Sequence, residues 1–284
     1  MMQLIDTITE KFSSANIVMK VIYITVFVFL INLLLNTISF FFNSHGNFLI
    51  KWFALSPNFD SFISKPWTIL SYGFLHDGFF HIIFNLLILY YFGMLFLDYF
   101  SPKMFLNYYF LGILVGGIIF LLSYNFLPAL KSRNALLVGA SAGVMSILIG
   151  LATLTPNYAI RFQWIGFIKL KHVALFIVVL DVLQIPMGNA GGHLAHLGGA
   201  LTGFLLTQYI PNRKSMSSKS NFFSKNKKSN NLKTVYKSKK PVESSINKSE
   251  EQQKIDSILD KISKSGYEAL SKEEKQFLFD FGKK

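Results

Sequence analysis

The 284-residue chain contains no cysteine. Disulfides, thiolate metal sites and a cysteine nucleophile are therefore excluded. Charge is scarce as well: Asp, Glu, Lys and Arg together make 15% of the residues, against 51% hydrophobic, and a soluble domain normally carries about 25% charged residues. Glutamate does not occur in residues 11–242, and no HExxH pair is present, which removes the usual metallopeptidase helix. Of the aspartates, Asp98 falls near the cytoplasmic side of the membrane and Asp181 nearer the outer side, so a two-aspartate site within a membrane is set aside. There is no repeat of solenoid type.

Apolar runs take the place of charge. Six stretches are long enough to span about 30 Å of hydrocarbon: roughly 19–42, 79–98, 104–125, 137–155, 167–186 and 192–209. The N-terminal residues are polar and mixed in charge, with no small-residue cleavage site after the first run, so that run reads as a retained membrane helix rather than a leader. The third, fourth and sixth stretches carry Gly112/Gly116, Gly139/Gly143 and Gly199/Gly203, each four residues apart, a spacing that lets helix backbones approach closely. Residues 43–78 are too long and too aromatic for an exposed turn and read as a folded loop half-embedded at the outer interface.

The formal charge of +13 is uneven. Residues 1–210 hold 10 Lys+Arg and 6 Asp+Glu, and residues 211–284 hold 18 and 9. Lysines and arginines in the short loops, together with the basic tail, favour an orientation with both termini cytoplasmic. Three regions follow: a membrane domain over 1–210, a basic flexible linker over 211–248 and a small helical extension over 249–284. In the extension, Ser249/Gln252 and Ser271/Glu274 have capping-box spacing, Ile255, Ile258, Leu259 and Ile262 form a helical stripe, and Gly266 can end the helix. The linker has few aromatics among its lysines, so anionic lipid is the expected partner of the tail and nucleic acid is not.

Polar residues within membrane helices are costly and point to function. The candidates are His81, Asn85, Ser141, Asp181, His193 and His196. Ser141 lies in VGASAG and His196 in HLAHLGG. A serine in such a helix can also simply bond to the carbonyl three or four residues back. Here Gly139 and Ala140 leave its hydroxyl open, and both residues fall near the outer ends of their helices. If the fourth and sixth helices touch, the imidazole can take the Ser141 proton and return it to a leaving amine. His81 and Asn85 are four apart and share one helical face, from which an imidazole N–H and an amide can stabilise an oxyanion. The plainer use of that pair is bonding between helices.

With HxxxxHxxxN at His76, His81 and Asn85, GASAG around Ser141, HLAHLGG around His196 and PWTILSYGFLH before the second helix, residues 19–210 resemble the rhomboid intramembrane serine proteases. The resemblance implies an all-α membrane protein, a rhomboid-like six-transmembrane-helix bundle with a small helical cytoplasmic tail of the bacterial type. It implies a Ser141–His196 dyad with no third carboxylate, oxyanion stabilisation by His81, Asn85 and the Ser141 N–H, and no metal or other cofactor. Single-span or other transmembrane proteins are the implied substrates, and the fifth helix the implied lateral gate. A bacterial plasma membrane is the implied location. Ala142, Met145 and Thr68 depart from residues common in that family. The alternative is a catalytically weak or inactive rhomboid-like protein that binds transmembrane helices in quality control.

Overall fold

Asn16 opens the first long helix. Its side-chain oxygen accepts from the Met19 N–H at 3.0 Å, and α1 runs uninterrupted over Ile17–Phe41, with neither glycine nor proline inside it. The computed structural model describes residues 9–43, 47–131, 133–163, 166–209 and 244–281. The chain divides into two compact units, one ending at Phe223 and the other beginning at Ser224. Most of the basic linker expected over 211–248 lies outside the described residues.

In the first unit, three short helices follow α1: α2 (Phe48–Phe53), α3 (Phe59–Ser64) and α4 (Thr68–Ser71). They fold the loop back on itself. The Trp67 indole donates to the Trp52 carbonyl at 2.8 Å, and Ser71 donates to the Phe53 carbonyl at 2.9 Å. The long helices α5 (Phe79–Leu97) and α6 (Pro102–Phe126) come next, α6 being opened by Ser101 as cap and Pro102 in its first turn. Then come α7 (Ser141–Leu154), an antiparallel hairpin of β1 (Ala159–Phe162) and β2 (Gly166–Lys169), α8 (Leu170–Gln184) and α9 (Ala190–Tyr209).

Four described helices are long and apolar enough to cross a membrane: α1, α5, α6, and α8 with the turn that extends it to Met187. The other two expected spans differ for local reasons. The stretch 137–155 contains a helix of only 14 residues. Leu137 is bonded to Leu55 in an extended bridge, and Gly139 has φ +123°, so the chain cannot turn helical before residue 141. The last stretch does form a 20-residue helix, α9, but its glycines and histidines dilute its apolar character. The expected start of the fifth span is strand β2, and the helix begins at Leu170.

The core is a wedge of α6, α7 and α9 closed by glycine. A Cβ on Gly199 or Gly203 of α9 would collide with the backbone of Ala142 or Ser146 on α7. A Cβ on Gly112 of α6 would stand 2.8 Å from the Ala142 carbonyl, and one on Gly116 would stand 2.8 Å from the Ala195 carbonyl. These backbones are therefore in contact, as the four-residue spacing predicts. At the far end of the wedge, Thr207 of α9 donates to the Gly150 carbonyl at 3.1 Å, and its hydroxyl lies 3.0 Å from the Tyr108 hydroxyl of α6.

In the second unit, α10 spans Ser244–Ser265 and ends at Gly266, whose φ is +77°. It begins before the expected Ser249, because neither proline nor glycine interrupts the chain between Pro241 and Gly266. Ile255, Ile258 and Leu270 are buried. A reciprocal capping box starts α11 (Lys272–Phe281): Ser271 Oγ accepts from the Glu274 N–H at 3.2 Å, and the Glu274 carboxylate accepts from the Ser271 N–H at 2.7 Å. Lys261 and Ser271 together hold the Glu274 carboxyl below its ordinary range.

Candidate active site

Ser141 is the first residue of α7. Its position is set from outside the helix. The Gly139 N–H donates to the Tyr72 carbonyl at 3.0 Å, and the Tyr72 hydroxyl, buried and thereby pushed up in pKa, donates to the Ile113 carbonyl of α6 at 2.7 Å. The folded loop thus holds the segment leading into α7. At a helix start the first N–H groups have no partner inside the helix, so the backbone around Ser141 presents donors beside its hydroxyl.

His196 comes from the facing helix α9. Its Nε2 lies 2.6 Å from Ser141 Oγ, and its Nδ1 lies 2.8 Å from Asp181 Oδ1 of α8. His193, one turn earlier on the same face of α9, sets its own Nδ1 2.8 Å from the same Asp181 oxygen. The Asp181 side chain is 7% exposed and that of His196 is 24% exposed, so the carboxylate is the inner end of the row and the serine side is the more open. A carboxylate only accepts, so Nδ1 of His196 carries the hydrogen and Nε2 is left to accept from Ser141. The donor atoms of Asp181, His193 and His196 lie within 4.8 Å of one another, a grouping that could hold a metal ion.

On the other side of Ser141, Gly139 brings the backbone against His81. A Cβ at this position would stand 2.8 Å from His81 Nε2 and 3.6 Å from Ser141 Oγ. The first of these distances is too short for a real side-chain contact, so the absent side chain is what lets the His81 ring of α5 lie against the backbone beside Ser141. Asn85, one turn on, is buried, but its amide donates to the His81 carbonyl at 2.9 Å. His76 packs edge-on against His81 with ring centroids 5.0 Å apart. Burial first, and then the neighbouring His81, push the His76 pKa down to about 3, so it is a neutral ring.

The Rhomboid domain family matches residues 64–213, more than half of the chain, and includes every residue of this site. The chain belongs to the rhomboid family. It is a membrane protein of that family with several long apolar helices. Among curated relatives of this rhomboid, RHOMBOID-like protein 12, mitochondrial, of Arabidopsis thaliana is 28% identical over 165 residues, covering 54% of this chain and 48% of the relative. RHOMBOID-like protein 4 of the same plant is 29% identical over 147 residues, covering 50% of this chain and 33% of the relative. The alignments thus span half or less of these relatives' own length. Residues 243–284 match a second family, described as a family of unknown function (DUF6576).

Of the residues singled out in the rhomboid sequence, Ser141 and His196 are in direct contact and His81 lies against Gly139, two residues before the serine. The Asn85 amide is turned to its own helix. The expectation that no carboxylate would stand beside the serine and histidine is corrected: Asp181 contacts His196. Its cue in the sequence was an aspartate in an otherwise apolar stretch, and it pointed to the residue without pointing to its partner.

Proposed function

We propose that this rhomboid is an intramembrane serine endopeptidase that hydrolyses peptide bonds in or near transmembrane segments of membrane proteins, with Ser141 as nucleophile and His196 as base. The observation that carries this reading is the 2.6 Å contact between Ser141 Oγ and His196 Nε2. In the first step Ser141 Oγ attacks the scissile carbonyl carbon while its proton passes to His196 Nε2. The C–N bond then breaks, and His196 returns the proton to the departing amine, leaving an ester on Ser141. Water attacks that ester with His196 again as base, releasing the acid and restoring the serine. The oxyanion would be met by the Ser141 N–H and by His81, whose ring lies against Gly139. Neither a metal nor another cofactor enters this scheme.

The finer setting belongs to the same proposal. Six spans result if α7 and α9 cross with the four longer helices. The distribution of Lys and Arg supports cytoplasmic termini, the bacterial plasma membrane is carried over from the family resemblance alone, and the basic linker supports contact with anionic lipid. The substrates are transmembrane proteins that reach the site sideways from the lipid.

A second reading, a catalytically weak or inactive rhomboid-like protein that binds transmembrane helices, is favoured by one observation. One of the two Asn85 amide hydrogens is engaged by the His81 carbonyl, which leaves fewer donors for an oxyanion. The two readings separate on purified protein given a fluorophosphonate and a model single-span substrate. Protease function requires labelling of Ser141 and cleavage that Ser141→Ala and His196→Ala abolish. An unlabelled Ser141 with retained substrate binding establishes the binder.

A further inference from the structure

We infer that Asp181 is a positioning residue for the proposed proteolysis, completing a Ser141–His196–Asp181 row in which His193 braces the carboxylate. The inference rests on the serine-hydrolase reading and extends it, since that chemistry needs only the serine and the histidine.

Three observations carry it. The first is alignment. The two nitrogens of one imidazole are both engaged, Nε2 with Ser141 Oγ at 2.6 Å and Nδ1 with Asp181 Oδ1 at 2.8 Å. A carboxylate at Nδ1 fixes the tautomer that leaves Nε2 free to act as a base, and holds the ring plane toward the hydroxyl. When the serine proton moves to Nε2, the ring becomes an imidazolium whose Nδ1–H already faces a carboxylate, so the developing charge is met without rearrangement.

The second observation is cost. Asp181 is buried on a helix whose other faces carry exposed Leu175, Phe176 and Leu183. Placing a carboxylate there is expensive. Its second oxygen, Oδ2, is buried and has no hydrogen-bond partner among the described residues. A residue kept only to tie α8 to α9 could be a neutral group with every polar atom satisfied, which is the less costly arrangement.

The third observation is the brace. His193 Nδ1 stands 2.8 Å from the same oxygen that faces His196. The two histidines are three residues apart and share one face of α9, so both rings direct an N–H to Oδ1. The carboxylate is thereby held from two sides, and the oxygen that His193 secures is the one that orients His196.

The test uses the full-length protein in detergent and in liposomes, with the single-span substrate and a fluorophosphonate. kcat, KM, labelling rate and melting temperature are compared for wild type, Ser141→Ala, Asp181→Asn and Asp181→Glu. Asparagine can keep a hydrogen bond to Nδ1 but permits the wrong tautomer. Asp181→Asn is expected to lower kcat and labelling about 10²–10⁴-fold, with KM and melting temperature near wild type, and Asp181→Glu is expected to recover much of the rate. An Asp181→Asn variant as fast as wild type, beside an inactive Ser141→Ala, overturns the role of Asp181 and leaves the serine reading intact. A loss that tracks a fall in melting temperature and is no better in Asp181→Glu makes Asp181 a packing element and also overturns the inference. Cleavage undiminished in Ser141→Ala overturns the reading beneath it.

Discussion

α6 and α8 meet their neighbours in different ways. Half of the most apolar stretch of α6 is buried inside the protein, against 17% of that of α8. α6 belongs to the wedge with α7 and α9, where backbone lies on backbone through Gly112, Gly116, Gly199 and Gly203. α8 buries only Leu170, Ala174 and Asp181. Ser141 and His196 therefore stand on the closely packed elements, and the carboxylate that faces His196 arrives on a loosely packed one. Tight packing makes the 2.6 Å contact a property of the backbone. Loose packing makes the 2.8 Å contact to Asp181 depend on where α8 lies.

The largest test of that contrast is Gly199→Val, which drives side-chain atoms into the α7 backbone. Overpacking of this kind costs about 1–3 kcal/mol, and moving a catalytic group by about 1 Å costs roughly 10²-fold in rate. Cleavage should fall at least that far and the melting temperature should drop. Unchanged cleavage would show that the wedge does not set the distance between Ser141 and His196. Gly139→Ala is next. Its backbone conformation disfavours any side chain, with strain of about 1–3 kcal/mol, and its methyl group would crowd His81 Nε2. Fluorophosphonate labelling of Ser141 should slow even though Ser141 and His196 are intact.

His76 gives a third and smaller effect. Its pKa is ordinarily 6.5 and is pushed down to about 3 in the folded protein, so the unfolded chain binds its proton first as pH falls. The stability contributed by the neutral ring is complete above 6.5 and is lost progressively toward about 3, by at most about 1.4 kcal/mol per pH unit. Melting curves between about pH 7 and pH 4 should show this slope, and His76→Phe should flatten it. The smallest effect belongs to the loose side. Phe176→Ala, on the exposed face of α8, should change stability by no more than about 0.5 kcal/mol. A much larger loss would mean that α8 is held as firmly as α6.

Much of this contrast was legible in the residues, and for identifiable reasons. Glycines four apart on the third and sixth stretches are a weak cue to close approach, and the wedge forms there, whereas of the pair on the fourth stretch only Gly143 lies in the helix. Ser141 and His196 stood out because each lies in a short run of small residues that leaves a functional group open. Span lengths were less legible. Hydropathy over 137–140 looks like that over the following helix, while the bridge from Leu137 to Leu55 and the φ of Gly139 are set by tertiary contacts. The Asp181–His196 contact was illegible for a related reason. The residues are fifteen apart on different helices, and the rotation of α8 about its axis, which decides what its one aspartate meets, is only weakly marked on a helix apolar nearly all round. The turn of the Asn85 amide toward its own helix could not be read from spacing either, since i,i+4 residues equally permit a shared face and a bond within the helix.

Gly139 also bears on how such a protein could change its role over evolutionary time. One methyl group at that position would press on the His81 ring and move it from its place near Ser141 while leaving the serine, both histidines of α9 and the aspartate in the sequence. A descendant carrying it would keep every residue by which a hydrolase is ordinarily recognised and would have lost the placement of His81 beside the serine. The boundary between a protease and a helix-binding relative would then run through a residue with no side chain, and a gene-level inventory of reactive groups would not register the crossing.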